Sequence, residues 1–358
     1  MKILRLDIDG LRCIRHERVE AGDGVQFLLG ANGAGKTTVL EALHLLGYGR
    51  SFRSGQRDAV IQRGAQESIV FADVERERGG RSRVGLRRAA SVWSARIDES
   101  DVAGLVDLFR VCPVVCFEPG SHALIAGASE LRRAYLDWSV FHVEPDFLSA
   151  WRRHQRALKQ RNAALRAEAP EQVVRAWDPE LLESGRSLAA SRRGYFAHLV
   201  PHVAAVGEQL LGTKIELSLS DGWLAGTELK DAIEHSWPRD RERGTTHIGP
   251  HRADLSIRVG GDLAKHRVSR GQQKLTASAM LLGQLLCDHA LGSPTAALLV
   301  DDPAAELDEG NLERLISVVL ALPGQLFVSA LDPGMAAFQR LPVTRRFHVE
   351  HGKITPLL

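Results

Sequence analysis

Residues Gly30-Ala31-Asn32-Gly33-Ala34-Gly35-Lys36-Thr37 have the form G-x-x-x-x-G-K-[ST], and a second threonine follows at Thr38. Residues 25–29 before this stretch predict a short apolar strand, and residues 38–46 after it are apolar at helical spacing up to Gly47. In that setting the glycines let successive backbone N–H groups point at phosphate oxygens, and the helix N-terminus adds its positive dipole end. The stretch therefore predicts a phosphate-binding loop, around which the fold is organised.

Each part of this loop has a predicted role in holding a nucleoside triphosphate with Mg²⁺. Lys36 is expected to reach the β- and γ-phosphates, and the Thr37 hydroxyl is expected to hold the metal ion. The predicted nucleotide-binding residues of the loop are Gly30, Ala31, Asn32, Gly33, Ala34, Gly35, Lys36, Thr37 and Thr38.

The composition is that of a globular protein, with 358 residues of which 44% are hydrophobic and 25% charged. The chain contains 46 Lys and Arg and 44 Asp and Glu, so its net charge is small. A surface that binds nucleic acid would therefore require local segregation of positive charge. Four scattered cysteines argue against a disulfide framework, and the spacing of Cys112 and Cys116 favours buried apolar roles over a zinc site. No segment approaches the roughly 18 apolar residues of a membrane span, so we expect a cytoplasmic protein without a membrane partner.

An arginine-rich segment follows the first helix. Residues 68–86 alternate in polarity on both sides of Gly79-Gly80, which predicts a β-hairpin. From Arg76 to Arg88 the sequence contains six arginines and one acidic residue, its densest basic patch. This patch is either a solvated hairpin edge or a contact with nucleic-acid phosphates, for which arginine is well suited. The candidate DNA contacts are Arg81, Arg83, Arg87 and Arg88.

The chain from about residue 121 to 244 is largely helical. One helix begins at Pro145-Asp146, and a second begins at Asp178-Pro179-Glu180 and extends to Leu211, with Pro201 expected to kink or divide it. The first helix has an apolar face that contains Phe147, Leu148, Trp151, Leu158 and Leu165. Its basic flank contains Arg152, Arg153, Arg156, Lys159 and Arg161. Such a flank is either a solvated face or a surface for nucleic acid or protein.

Two further motifs lie near the C-terminus. Ser269-Arg270-Gly271-Gln272 precedes a long apolar helix, and Ser269 with Gln272 forms a capping box that would start this helix whatever the function. Residues 296–300 are all apolar and lead into Asp301 and Asp302, as expected of a buried parallel strand with carboxylates at its C-terminal rim. Asp301 is predicted to complete Mg²⁺ coordination opposite Thr37, and Asp302 to orient or deprotonate the attacking water.

The order of these motifs is that of an ABC-type ATPase head. In such a head two copies face each other, and the serine-glycine turn of one contacts the γ-phosphate held by the other, so that ATP joins a dimer and hydrolysis releases it. The turn therefore adds Ser269, Gly271 and Gln272 to the predicted ATP contacts. The predicted catalytic residues are Lys36, Asp302 and Ser269, and the predicted metal ligands are Thr37 and Asp301.

Six segments together resemble the RecF family of bacterial, SMC-related recombination mediators, over essentially the whole chain. They are GANGAGKTT at 30–38, Arg50-Ser51-Phe52-Arg53, Phe117-Glu118-Pro119 followed by Arg132-Arg133, Gly249-Pro250-His251-Arg252, SRGQQKL at 269–275 and VDDPAAELD at 300–308. The resemblance implies an α/β fold, with an ABC/SMC-type P-loop ATPase head containing a mixed β-sheet. It assigns residues 1–120 and 245–358 to this head and residues 121–244 to a largely helical second lobe.

The resemblance also implies a function in recombinational DNA repair. It implies ATP and Mg²⁺ as cofactors, an ATP-dependent homodimer, and binding to double-stranded and single-stranded DNA at gaps or junctions. Hydrolysis is expected to be weak and stimulated by DNA. The expected protein partners are RecR and RecO, with which the protein would load recombinase onto single-stranded DNA.

The sequence departs from the ABC pattern at two positions. Ser329-Ala330 stand where a switch histidine is usual, and Asp302 occupies the base position where many heads have glutamate. A P-loop enzyme that acts on a small molecule as a monomer is an alternative interpretation. A transporter ATPase subunit is disfavoured, because roughly 230 residues separate Lys36 from Ser269.

Overall fold

The computed structural model describes residues 1–53, 57–77, 79–89, 92–332 and 334–357. Contacts divide the chain into two compact units. The first contains Met1–His122 and Ala277–Leu358, and the second contains Ala123–Thr276. Within the described ranges, no helix has both the length and the apolar character that a membrane crossing requires.

Fifteen strands are present in the described chain. They are β1 (Lys2–Leu11), β2 (Ile14–Glu20), β3 (Val25–Leu29), β4 (Glu67–Glu75), β5 (Arg81–Ala89), β6 (Val92–Ile97), β7 (Ser100–Asp101), β8 (Val114–Phe117), β9 (Ile215–Ser220), β10 (Asp254–Val259), β11 (Asp262–Leu263), β12 (Ala297–Asp301), β13 (Leu326–Ala330), β14 (Val343–Glu350) and β15 (Lys353–Leu357).

Thirteen α-helices accompany these strands in the same residues. They are α1 (Lys36–Tyr48), α2 (Leu105–Val111), α3 (Ala123–Ala126), α4 (Ser129–Val143), α5 (Phe147–Arg166), α6 (Glu171–Arg175), α7 (Asp178–Leu211), α8 (Leu229–Arg243), α9 (Ala264–Arg267), α10 (Arg270–Ala290), α11 (Pro303–Glu306), α12 (Glu309–Val319) and α13 (Ala336–Gln339). Helix α10 contains the boundary between the two units.

The first unit contains an antiparallel sheet with the strand order β2-β1-β4-β5-β6-β7. Strands β4 and β5 form the predicted hairpin, in which Glu75 pairs with Arg81 and Glu67 with Ala89. Side chains on β4 alternate between buried and partly exposed, with Val70 on the buried face, because one face of the sheet packs on the core.

The second sheet of this unit has the strand order β15-β14-β3-β13-β12-β8. All neighbouring strands are parallel except β14 and β15. Every residue of β3, β12 and β13 is buried, as the apolar runs in the sequence predict. Because β13 lies between β3 and β12, the carboxyl ends of these three strands meet at one edge of the sheet. That edge brings together the phosphate loop, Ser329 and Asp301-Asp302.

Helix α1 packs against strands of both sheets and is buried on nearly all sides. The helix continues past the predicted end at Gly47 and stops at Gly49, which has the left-handed φ of 64°. Gly47 is instead required inside the helix, because a Cβ there would lie 2.4 Å from Cγ2 of Val114 on β8. The predicted helix is confirmed, but the prediction that it ends at Gly47 was wrong.

The second unit is built around α5 and α7, which pack side by side. Helix α7 is one continuous element with Pro201 inside it, so the predicted division at this proline does not occur. Asp178 is the first residue of α7, and its carboxylate accepts a hydrogen bond from Arg161. A core of Ala157, Leu158, Leu181, Leu229 and Ile233 joins α5, α7 and α8.

The second boundary between the units differs from the predicted one. The sequence predicts that the chain re-enters the ATPase head at residue 245, whereas residues 245–276 belong to the second unit. The reason is long-range pairing: β10 forms an antiparallel ladder with β9, and the Asp254 carboxylate accepts a hydrogen bond from Arg132 on α4 at 2.7 Å. The fold class is nevertheless as predicted, an α/β head fold with a largely helical second lobe.

Candidate functional site

The phosphate loop, residues 30–37, is fastened to the hairpin of β14 and β15. Gly30 has a φ of 156°, and a Cβ there would lie 2.1 Å from the carbonyl oxygen of Val349. The Gly352 N–H donates a hydrogen bond to the carbonyl of Ala34 at 2.8 Å. Only glycine allows so close an approach at position 30, so the loop is held in place by the C-terminal strands.

Lys36 is directed into its own loop. Its Nζ donates hydrogen bonds to the carbonyl oxygens of Gly30 at 2.6 Å and Ala31 at 3.0 Å. Burial lowers the pKa of the Lys36 ammonium, and the carboxylates of Asp302 and Asp301 oppose that change. The ammonium therefore lies between loop carbonyls and two acids, where phosphate oxygens would compete for its three donors.

A hydrogen-bonded chain joins the loop to the ends of β12 and β13. The Thr37 hydroxyl donates to Oδ1 of Asp301 at 2.9 Å, and the Ser329 hydroxyl donates to the same oxygen at 2.8 Å. The backbone N–H of Asp302 donates to the Ser329 hydroxyl at 2.9 Å. The predicted metal ligands Thr37 and Asp301 are thus in contact, although 264 residues separate them in the sequence.

Asp301 is 4% exposed, and burial raises the pKa of its carboxyl, while the hydrogen bonds from Ser329 and Thr37 oppose this rise. Among the described residues, no group of three or more His, Cys, Asp and Glu side chains could hold a metal ion. Mg²⁺ does not need such a cage, because it is commonly bound by one or two protein oxygens together with substrate phosphates. The hydroxyl of Thr37 and the carboxylate of Asp301 are hard oxygen ligands that fit Mg²⁺.

Asp302 follows the strand in the left-handed region, with a φ of 42°. Few side chains tolerate this region, but aspartate is among those that do. Its N–H is fixed by Ser329, and it precedes α11, which begins with Pro303. The turn therefore separates the two neighbouring acids, with Asp301 buried and Asp302 partly exposed.

Ser269 and Gln272 form the predicted capping box at the start of α10. The Ser269 N–H donates to Oε1 of Gln272 at 2.9 Å, and the Gln272 N–H donates to Oγ of Ser269 at 3.2 Å. Both residues are exposed, and a Cβ on Gly271 would meet nothing closer than Oγ of Ser269, at 4.0 Å. This turn belongs to the second unit and leaves its helix N-terminus open to solvent.

Two features of the first unit escaped the sequence reasoning. One is Ser329, whose signal in the sequence is that of a polar residue at the end of a buried strand and not only the absence of a histidine. The other is an ion pair between Arg12 and Glu41, at 2.7 Å, in which the Glu41 side chain is fully buried on α1. Glu41 also accepts a hydrogen bond from Ser51, so this pair fastens the segment after α1 to the turn between β1 and β2.

The structure contradicts one of the four candidate DNA contacts on the β4–β5 hairpin. Arg88 is 2% exposed and its guanidinium stacks on Trp93, 4.3 Å from the ring centroid. Strand alternation explains this, because Arg88 has the same parity as the buried residues Val84 and Leu86. Arg88 is therefore a core residue, and the prediction that it contacts DNA was wrong.

The other three candidates, Arg81, Arg83 and Arg87, are exposed, but Arg83 and Arg87 have acidic partners. Arg83 lies 3.3 Å from Glu99, and Arg87 lies 2.6 Å from Glu67. Arg81 is exposed at the end of the hairpin, and Arg78 lies outside the described residues. The charge of the hairpin is thus partly neutralised within the protein itself.

The basic flank of α5 also contains one buried residue. Arg161 is fully buried and bonds to Asp178 at 2.8 Å, Asp240 at 2.8 Å and Thr246 at 2.8 Å. It belongs to the buried face of α5, contrary to the predicted flank, and it connects α5 to α7 and α8. Removing such a partner from a buried ion pair typically costs about 3–5 kcal/mol, which marks Arg161 as structural.

Cys112 and Cys116 are free thiols, of which Cys112 is fully buried. Burial raises the pKa of the Cys112 thiol to about 12, which disfavours the thiolate that metal binding needs. This environment supports the apolar role expected of Cys112.

Comparison with known proteins places this geometry in a family. Residues 2–354 match the family model described as the RecF/RecN/SMC N terminal domain. The chain is 42% identical to the DNA replication and repair protein RecF of Stenotrophomonas maltophilia (strain R551-3), over 99% of both chains. It is 38% identical to the protein of the same name from Marinomonas sp. (strain MWYL1), over 100% of this chain and 98% of the relative.

Solved structures show the same fold. A structure of the recombination mediator protein RecF with ATP in the RecFOR pathway superimposes with a TM-score of 0.90 at 20% identity, covering 100% of this chain and 98% of that one. An Smc head bound to the C-terminal winged-helix domain of ScpA gives a TM-score of 0.60 at 15% identity, covering 100% of this chain and 98% of that one. On the evidence of the family model and the sequence relatives, the chain belongs to the RecF family.

Proposed function

We propose that the protein is an ATP-dependent DNA-binding protein of DNA replication and recombinational repair, with ATP hydrolysis acting as a switch. The observation that carries the proposal is the contact between Thr37 and Asp301 beside Lys36, since it joins a phosphate loop to an acid at the rim of the sheet. The relatives named above, which are DNA replication and repair proteins, supply the biological context.

The residues of the first unit have distinct roles in this proposal. Backbone N–H groups of residues 30–38 surround the phosphates, and Lys36 exchanges its loop carbonyls for β- and γ-phosphate oxygens. Thr37 and Asp301 would hold Mg²⁺, which supplies charge neutralisation to the phosphates when bound. Asp302 would orient or deprotonate the attacking water, and its reach is shorter than that of glutamate.

The serine turn of the second unit is proposed to complete the site of another copy. Ser269, Gly271 and Gln272 sit at an exposed helix N-terminus, where the helix dipole favours an anion. ATP would thereby hold two copies together on DNA at gaps or junctions between single and double strands, and weak DNA-stimulated hydrolysis would release them. Turnover faster than tens per second would contradict a timing role for the ATPase.

The proposal extends to partners and location. We infer that RecR, together with RecO, cooperates with the protein in loading recombinase onto single-stranded DNA in the cytoplasm. The support is membership of the RecF family and the RecFOR pathway named for the structural relatives.

The test is ATP-dependent dimerisation measured by analytical ultracentrifugation, with and without a gapped DNA duplex. We expect ATP with Mg²⁺ to shift the protein from monomer to dimer, and the gapped duplex to strengthen the shift. Lys36→Ala is the matched variant, which should lose the response because the ammonium that binds the β- and γ-phosphates is absent. A wild-type protein that binds ATP but remains monomeric, with or without DNA, would instead support the monomeric small-molecule enzyme.

A further inference from the structure

Helix α5 carries an unusual charge distribution. Its 20 residues include six arginines and lysines and no acidic residue. Two of these cations form ion pairs within the protein. Arg153 pairs with Glu180 at 2.6 Å and Glu183 at 2.8 Å, and Arg161 is buried among the acids of α7 and α8.

The other four cations define a surface that we call the α5 stripe: Arg152, Arg156, Lys159 and Arg166. All four are exposed. Within the described residues, none of them forms an ion pair or a side-chain hydrogen bond. The stripe thus differs from the hairpin, where Arg83 and Arg87 face acidic partners.

Helical geometry places the four side chains on one face. At 100° per residue they fall within an arc of about 80°, and at 1.5 Å per residue they extend over about 21 Å. The opposite face of the helix is fixed by buried residues that include Phe147, Ala157 and Leu165. The spacing of the cations is therefore set by a packed helix rather than by a loop.

A linear array of cations without acidic neighbours fits a linear polyanion. Duplex DNA has one negative charge per about 1.7 Å of its axis, so a length of duplex equal to the stripe contains roughly a dozen phosphates, several of which lie on the side that faces the protein. Arginine suits such contacts because its planar guanidinium can bind phosphate oxygens in a bidentate manner. We propose that the α5 stripe is the main sequence-independent contact of this protein with the phosphate backbone of duplex DNA. This inference rests on the proposed DNA-binding function and assigns a surface to it.

The test measures the affinity for a fluorescent 30-base-pair duplex with ATP and Mg²⁺ over a series of salt concentrations. The test variant is Arg152→Gln, Arg156→Gln, Lys159→Gln and Arg166→Gln combined, since glutamine preserves helix propensity. The plot of log K against log salt has a negative slope, and each lost phosphate contact reduces its magnitude by about 0.9. The magnitude should therefore be about 3 to 4 smaller for this variant than for the wild-type protein.

The matched control removes four other exposed cations of the second unit, with the substitutions Arg186→Gln, Lys214→Gln, Lys230→Gln and Arg258→Gln. The control changes the net charge equally and should alter the slope by less than about 1, as expected without lost phosphate contacts. A third variant, Arg81→Gln, Arg83→Gln and Arg87→Gln, reports on the hairpin. ATP binding and circular dichroism verify that each variant is folded, and the double variants Arg152→Gln/Arg156→Gln and Lys159→Gln/Arg166→Gln replace the quadruple variant if it does not fold.

The outcomes separate the two proposals. If the wild-type protein binds neither this duplex nor a gapped duplex with ATP, the proposed function fails; if it binds the gapped duplex alone, the stripe proposal is overturned and the function stands. If the wild-type protein binds, but the stripe variant loses no more slope than the control does, the stripe proposal is overturned and the function stands. A slope loss found only in the hairpin variant would also overturn the stripe proposal and assign the contact to β4 and β5.

Discussion

The phosphate-loop region of the first unit and the serine turn of the second unit differ in how their polar groups are satisfied. In the first region, the hydroxyls of Thr37 on α1 and Ser329 on β13 both donate to the carboxylate of Asp301 on β12, and Asp301 is almost fully buried. In the second region, the side chains of Ser269 and Gln272 each accept a hydrogen bond from the backbone N–H of the other residue, and both residues are exposed.

The first region is therefore preorganised before a ligand binds, whereas the second region offers an exposed contact. The first region holds a carboxylate and a hydroxyl at fixed positions inside one chain, which saves reorganisation when an ion and phosphates bind. The serine turn is locally stable without a ligand, because the capping box satisfies two donors of the helix N-terminus reciprocally. Such an asymmetry suits the proposed composite site, in which one copy supplies the built half and another copy supplies an exposed contact.

Breaking the first region should have the largest effect. In Asp301→Asn the side chain keeps its size but loses the charge that would hold Mg²⁺, so we expect ATP hydrolysis to fall at least about 100-fold. Steady-state phosphate release with DNA present measures the loss. Asp23→Asn is the matched control, because this acid is 73% exposed in the same unit and should leave the rate unchanged. Equal rates for Asp301→Asn and the wild-type protein would remove Asp301 from the site.

Breaking the second region should affect association rather than nucleotide binding. In Ser269→Arg a bulky cation replaces the turn hydroxyl, so ATP should still bind one subunit while the ATP-dependent dimer weakens by at least about tenfold, which corresponds to 1.4 kcal/mol. Nucleotide affinity from a fluorescent ATP analogue and dimerisation from ultracentrifugation are measured on the same sample. Ser269→Thr retains the cap and should behave as the wild-type protein does. An unchanged oligomeric response in Ser269→Arg would favour the monomeric enzyme.

Ser329 provides a finer test of preorganisation. Ser329→Ala removes the hydroxyl that donates to Asp301 and accepts from the Asp302 N–H, so both acids lose a positioning contact. We expect kcat to fall about 5- to 10-fold, as for the loss of one to two hydrogen bonds, with the KM for ATP nearly unchanged. The Mg²⁺ concentration for half-maximal activity should rise, a change that a purely structural role would not produce. Ser329→Thr keeps the hydroxyl and should restore both values; a normal kcat in Ser329→Ala would exclude the positioning role.

The sequence was sufficient for features with a local signal. The phosphate loop, the β4–β5 hairpin and the capping box depend on residues close in sequence, and the structure contains all three. The order of motifs also predicted that Asp301 would meet Thr37, because strands of a parallel sheet end at a common edge.

Features that depend on distant partners were not predicted. Arg161 was assigned to the exposed flank of α5, because its partner Asp240 lies 79 residues away and no local pattern reveals a buried ion pair. The domain boundary at 245 failed for the same reason, since the pairing of β10 with β9 is invisible to local composition. Arg88 is different, because its strand parity with Val84 and Leu86 is a local signal that places it on the buried face although its side chain is charged.

The smallest expected effects distinguish the two roles that Gln272 has in the serine turn. Gln272→Ala removes the acceptor for the Ser269 N–H, which should cost about 0.5–1 kcal/mol locally. Hydrogen exchange in the first turn of α10 should therefore quicken several-fold. The ATP-dependent dimer should weaken by no more than about threefold, or 0.7 kcal/mol.

Gln272→Glu provides the complementary measurement, because glutamate also satisfies a capping box but adds a negative charge next to the proposed γ-phosphate contact. Hydrogen exchange should then stay as slow as in the wild-type protein, while the ATP-dependent dimer weakens, and added salt should reduce the difference by screening the repulsion. If glutamate leaves the dimer unchanged at low salt, the turn does not approach the phosphate of a second copy. The capping box would then account for Gln272 completely, and the two regions of the molecule would share no site.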